Sequence, residues 1–146
     1  MRLLVLVILT AASPVCVSEQ LYLQSNVRSY HFDAAQQYNE NHSGVGVEYD
    51  LGGYYVAGGY YLNSLSRDSY YFGFGTERRF SALPSVGAGV MLGAVTGYNA
   101  EMLLGPIPYA FVGNRYFTLR TFLFPPMERV SSGAVGLQLR IGFAGS

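Results

Sequence analysis

Lysine and tryptophan are absent from the 146 residues, the single cysteine is Cys16, and only two histidines occur. Charge is scarce as well: nine arginines and nine acidic residues amount to 12% of the chain, about half the ~25% of an average soluble domain. That is too little for an ordinary water-facing surface. The equal numbers also leave no net field to steer nucleic acid, so no nucleic-acid partner is expected. One cysteine cannot build an internal disulfide framework. No apolar run reaches the ~20 residues of a membrane-spanning helix, which excludes a helical membrane protein. What abounds is 13 Tyr, 9 Phe and 18 Gly in a half-apolar chain. Such a chain can bury ample apolar surface, which excludes disorder, and its length suits one domain.

Met1-Arg2, the apolar run from Leu3 to Thr10 and the small residues Ala11, Ala12 and Ser13 ahead of Cys16-Val17-Ser18 have the order of a secretory signal peptide. Residues 1–18 are expected to be removed, with cleavage after Ser18 fitting best and a site near Ala12 as the alternative. Pro14 and Val15 argue against a lipoprotein site at Cys16. Residues 19–146 then form an exported domain that must hold together without covalent cross-links.

The rest of the chain alternates apolar or aromatic residues with Gly or small polar ones, and period two means strands. The clearest case sets Val135, Leu137, Leu139, Ile141 and Phe143 against Gly136, Gln138, Arg140 and Gly142. Similar alternation runs from Val86 to Ala94 and from Phe117 to Leu123. Eight strands are predicted, over 22–32, 43–50, 54–64, 69–78, 85–96, 106–113, 115–124 and 133–143. Their connectors alternate in length, tight at Leu51-Gly52-Gly53 and Asn114, modest at Arg79 to Pro84, longer at Asp33 to His42, Gly97 to Gly105 and Pro125 to Ser132.

An even number of strands with short turns at one end and longer loops at the other is the habit of outer-membrane barrels. The predicted fold is therefore all-β, an eight-stranded antiparallel up-and-down transmembrane β-barrel. A secreted soluble barrel of lipocalin type is the competing architecture. It requires charges on the strand faces, whereas Asp33, Glu40, Asp50, Arg67, Asp68, Arg78, Arg79, Glu101, Glu128 and Arg129 fall at strand ends or in connectors.

Little in the chain points to metal or phosphate chemistry: two His, no Cys pair, no spaced acidic cluster, and no Gly-rich loop leading into a helix with Lys. No cofactor is expected. Nucleophilic chemistry needs Ser or Cys beside a base, and His is the usual base near neutral pH. His31 ends the first strand and Asn63-Ser64 the third, so an antiparallel barrel carries both to the rim with the longer loops. Asp68-Ser69, opening the fourth strand at the same rim, offers a rival serine. Residue types alone favour the plainer reading, in which His31 is a polar residue of the rim and either serine a turn residue.

At these residues the chain resembles the lipid A palmitoyltransferase (PagP-like) family of small outer-membrane barrels. The resemblance starts at Tyr30-His31-Phe32-Asp33 and continues through Tyr38-Asn39-Glu40, Gly44 and Gly46. It resumes at Tyr60-Tyr61-Leu62-Asn63-Ser64 and Gly73-Phe74-Gly75-Thr76-Glu77, then at Gly87-Ala88-Gly89-Val90, Ala94-Val95-Thr96 and Pro106 to Gly113. The family's catalytic His falls on His31 and its Asp-Ser pair on Asn63-Ser64, because Gly73-Phe74-Gly75 keeps the spacing without a gap. Asn63 thus stands where the family has an acid. The resemblance implies an enzyme that moves an acyl chain from a phospholipid to lipid A or a related glycolipid at the outer leaflet of a bacterial outer membrane, as a monomer. His31 would activate the acceptor hydroxyl or Ser64, and the chain would lie inside the barrel, where Gly87, Gly89 and Gly93 either make room for it or let a narrow barrel close. The alternative is a non-enzymatic outer-membrane barrel used for surface shielding, adhesion or exclusion.

Overall fold

The computed structural model describes residues 19–33, 37–99, 101–126 and 133–143; the expected signal peptide, residues 1–18, lies outside them. The eight expected strands are all present: β1 (Gln20–His31), β2 (Gly44–Asp50), β3 (Tyr54–Leu62), β4 (Asp68–Phe80), β5 (Leu83–Val95), β6 (Leu103–Gly113), β7 (Phe117–Phe124) and β8 (Ala134–Gly142). Each pairs antiparallel with its neighbours in chain order, and β1 closes on β8 to complete the barrel.

Connectors 51–53, 81–82 and 114–116 lie at one end, with longer ones, 32–43, 63–67, 96–102 and 125–133, at the other. The expected Arg79–Pro84 loop contracts because β4 and β5 run on to Phe80 and Leu83. At 51–53 the tight turn closes with Leu51 N donating to Tyr54 O, and its reversal needs Gly52 (φ 84°) and Gly53 (φ 99°) in the left-handed region.

Alternation along each strand sorts the side chains. Outside stand Leu21, Leu23, Val45, Val47, Phe72, Phe74, Leu92 and Leu119, all exposed, with Phe72 at 61%. Aromatic residues gather toward the ends of this wall, Tyr49, Tyr54 and Phe117 near the short turns and Tyr30, Phe32 and Tyr70 near the long loops. The belt far exceeds the few hundred Å² of contiguous apolar surface that soluble monomers tolerate.

The lumen near the short turns is filled. Glu48, Glu77, Arg120 and Arg140, which sequence patterning left among ordinary strand residues, form a closed ionic cluster there: Arg120 pairs with Glu48 and Glu77, and Arg140 with Glu48 at 2.7 Å and Glu77 at 3.0 Å. Two positive and two negative charges cancel, so burial leaves no net charge in the wall's interior. The Tyr55 and Tyr109 rings each lie 4.9 Å from the Arg120 guanidinium, and Tyr22 lies 4.3 Å from that of Arg140. Arg79 seals the lower rim, donating to the carbonyls of Pro84 (2.9 Å) and Gly113 (2.8 Å). Gly87 and Gly89 serve this packing: a Cβ on either would overlap the Phe111 or Tyr109 ring. Those two therefore let the barrel close around aromatics, and Gly93, higher in β5, lines the cavity above them, where a Cβ would press on the Ile107 side chain at 3.0 Å.

Candidate active site at the barrel mouth

Above the ionic cluster the lumen opens into a cavity of about 380 Å³, within the ~300–1,000 Å³ range of ligand pockets. Its deeper wall is apolar, with Met91, Gly93, Ile107, Phe122, Phe124 and Gly136, and its mouth carries Ser29, His31, His42 and Ser64.

The cavity reaches the side of the barrel between β6 and β7. Their ladder runs only from Tyr109 opposite Phe122 to Gly113 opposite Thr118, so Leu103 to Pro108 have no β7 partner. Pro106 and Pro108 explain the break, since neither has an N–H for a ladder, and proline is tolerated in sheets where a strand behaves as an edge. Leu104 and Pro106, on the outer face, share the cavity lining with Ile107 and Phe124 on the inner one.

Inward placement of Ser29 and His31 depends on a β-bulge. Tyr22 and Gln24 face the lumen on even positions, yet Asn26 lies opposite Gln138 and Arg28 opposite Leu137, leaving Val27 without a counterpart. The extra residue reverses the phase. Ser29 becomes buried and His31 lines the cavity, while Arg28 and Tyr30 turn outward, with the Arg28 guanidinium 5.1 Å from the Tyr30 ring.

The connector after β1 folds back across the mouth. Ser29 N donates to Glu40 O, Asn39 N to Ser64 O and Leu62 N to Ser43 O, at 2.9, 2.9 and 3.0 Å. These bonds bring His42 over the rim of β3. Its Nδ1 lies 2.6 Å from the Leu62 carbonyl, an acceptor only, so Nδ1 carries the hydrogen. Nε2 then presents its lone pair to Ser29 Oγ, 2.5 Å away, and the hydroxyl donates to it. Burial, partly offset by the Leu62 carbonyl and the Glu40 carboxylate, holds the His42 imidazole below the ordinary histidine range, so it is neutral at pH 7.

Of the residues expected from the sequence, His31 and Ser64 both face the cavity, and Asn63 does not line it. His31 stacks on Tyr38 with ring centroids 4.3 Å apart, and its Nδ1 is buried without a hydrogen-bond partner among the described residues. Asn63 is fully buried, and its amide is satisfied within the turn: Nδ2 donates to Ser69 Oγ and Gly97 O, both at 2.9 Å, and Oδ1 accepts from the amides of Leu65 and Arg67. Ser69, the rival serine, is the partner of that amide and donates to Thr96 O at 2.7 Å. The hydrogen-bonded Ser–His pair at the mouth is Ser29–His42, which sequence reasoning missed. Its one available signal was position: Ser29 stands two residues before His31 on the same strand face. No protein-family model matches the chain, and neither does any curated protein.

Proposed function

We propose that this barrel resides in a bacterial outer membrane and transfers an acyl chain from a phospholipid to lipid A or a related glycolipid. The observation that carries the reading is the cavity, apolar in its depth, closed below by the ionic cluster, and open sideways between β6 and β7 through an apolar outer wall. A pocket entered through such a wall suits a ligand that arrives from lipid rather than from water. The aromatic residues at both ends of the wall match the girdles of membrane barrels, and the long-loop end, with its polar mouth, takes the outer side.

In this reading the acyl chain lies against Ile107, Phe122 and Phe124, and its ester comes to rest among the polar groups of the mouth. His31, with its unpartnered Nδ1, and Ser64 contact the ester and the acceptor hydroxyl. Protein refolded in detergent, given phospholipid with a labelled acyl chain and lipid A, should move the label to lipid A, and His31→Ala and Ser64→Ala should each lower the rate. Absence of both transfer and hydrolysis, or full activity in both variants, overturns the proposal. A non-enzymatic outer-membrane barrel is the second reading, favoured by one observation: the Asn63 amide is bound into a turn and supports no imidazole.

A further inference from the structure

Among the described residues two serines face the cavity, Ser29 and Ser64, and the geometry separates them. Ser29 Oγ donates directly to a neutral imidazole nitrogen, and the other nitrogen of that ring is fixed by a backbone carbonyl. This is a nucleophile, a base and a group that orients the base, the three parts an activated serine requires. Ser29 and His42 are 4% and 8% exposed, so bulk water competes little for the hydroxyl, yet both border the cavity. The bulge at Val27 turns Ser29 inward, and the folded-back connector, held at Glu40, Asn39 and Ser43, sets His42 against it. Two separate local devices thus converge on one hydrogen bond.

We propose that Ser29 is the nucleophile and His42 its general base, so that acyl transfer passes through an ester on Ser29. The proposal rests on the acyltransferase reading above and names the reacting group within it. Ser29 Oγ attacks the carbonyl carbon of the phospholipid ester, and its proton passes to His42 Nε2. The tetrahedral adduct collapses, the bond to the glycerol oxygen breaks, and the leaving lysophospholipid takes the proton from His42. The acceptor hydroxyl then attacks the Ser29 ester, its proton passes to His42, and Ser29 Oγ leaves with that proton. No oxidant, reductant or metal enters the balance. His31, two residues along the same strand face, is left to hydrogen-bond the substrate through Nδ1.

The test is covalent labelling of the full chain, folded in detergent, with a hexadecyl fluorophosphonate, which bonds phosphorus to an activated serine oxygen and releases fluoride. Peptide mass spectrometry should place the adduct on Ser29. Ser29→Ala should abolish it. His42→Gln, whose amide can still meet the Leu62 carbonyl and Ser29 but cannot take a proton, should slow it about a hundredfold or more. The mobility of unheated protein on a gel reports that each variant is folded. An adduct on Ser64, or labelling of Ser29 that His42→Gln leaves unchanged, overturns the proposal. If the wild type transfers acyl chains but takes no label, the Ser29 assignment falls and the acyltransferase reading stands. If Ser29 labels in a His42-dependent way but nothing reaches lipid A, the nucleophile stands and the lipid A reading falls.

Discussion

Asn63 holds Gly97 across the barrel mouth, its amide nitrogen donating to the Gly97 carbonyl at 2.9 Å. The bond ties connector 63–67 to connector 96–102, and the same nitrogen donates to Ser69 Oγ. An aspartate there, the residue that the resemblance places at this position, would set a carboxylate oxygen against a carbonyl oxygen. Asn63→Asp should therefore destabilise the barrel by about 1–3 kcal/mol, the cost of stranding buried polar groups, and should not raise transfer activity. Denaturant midpoints and the labelled-lipid assay check the two halves. A more active Asn63→Asp variant would contradict this role.

Deleting Val27 should remove the bulge between Asn26 and Arg28. Asn26 and Arg28 then follow one another opposite Gln138 and Leu137, and strict alternation keeps Ser29 and His31 on the lumen face. The barrel is expected to close, as judged by the mobility of unheated protein, and fluorophosphonate labelling to stay on Ser29. Loss of the Ser29 adduct from the folded variant would contradict the phase assigned to the bulge.

The strands were legible because each carries its own alternation, and a face that reads Val135, Leu137, Leu139, Ile141 needs no partner to be recognised. Long and short connectors showed which ends share a rim, so His31 and Ser64 were correctly brought to one end of the barrel, where both border the cavity. The bulge was not legible, since nothing in Asn26-Val27-Arg28 marks an extra residue, and with it went Ser29. His42 sits in a connector whose fold depends on backbone bonds to Leu62 and Ser64, far along the chain. Charges at Glu48, Glu77, Arg120 and Arg140 looked like isolated polar positions, because ion pairs across a lumen join residues that no local pattern relates. Room for a ligand and closure of a narrow barrel stayed equally open for Gly87 and Gly89, because the rings that decide for closure come from β6.

Removing one member of the ionic cluster leaves opposite charges buried without full partners. Glu48 accepts from Arg120, Arg140 and Gln24, so Glu48→Ala strands two guanidiniums at once. The expected loss is roughly 3–5 kcal/mol, read as a lower urea midpoint for the barrel in detergent. Glu48→Gln, which keeps hydrogen bonding but not the charge, should lie between that variant and the wild type. A change below about 1 kcal/mol, the size of an exposed surface pair, would contradict the closed cluster.

The acid limb of the labelling rate should report His42. Burial lowers its pKa from the ordinary 6.5, against the Leu62 carbonyl and the Glu40 carboxylate, which favour the protonated ring. The neutral base is therefore fully present above pH 6.5 and is lost as pH falls through the depressed value. Fluorophosphonate labelling measured from about pH 5 to 8, the range in which histidine titrates, should be flat on the alkaline side and decline only below the ordinary value. A midpoint above it would contradict a buried neutral His42.

The central claim, acyl transfer onto an outer-membrane glycolipid, is tested most directly by mass spectra of lipid A from cells with and without the protein. The account predicts a lipid A species heavier by one acyl chain, present with the wild type and absent with Ser29→Ala. Identical spectra from cells in which the wild-type protein is folded in the outer membrane would contradict it.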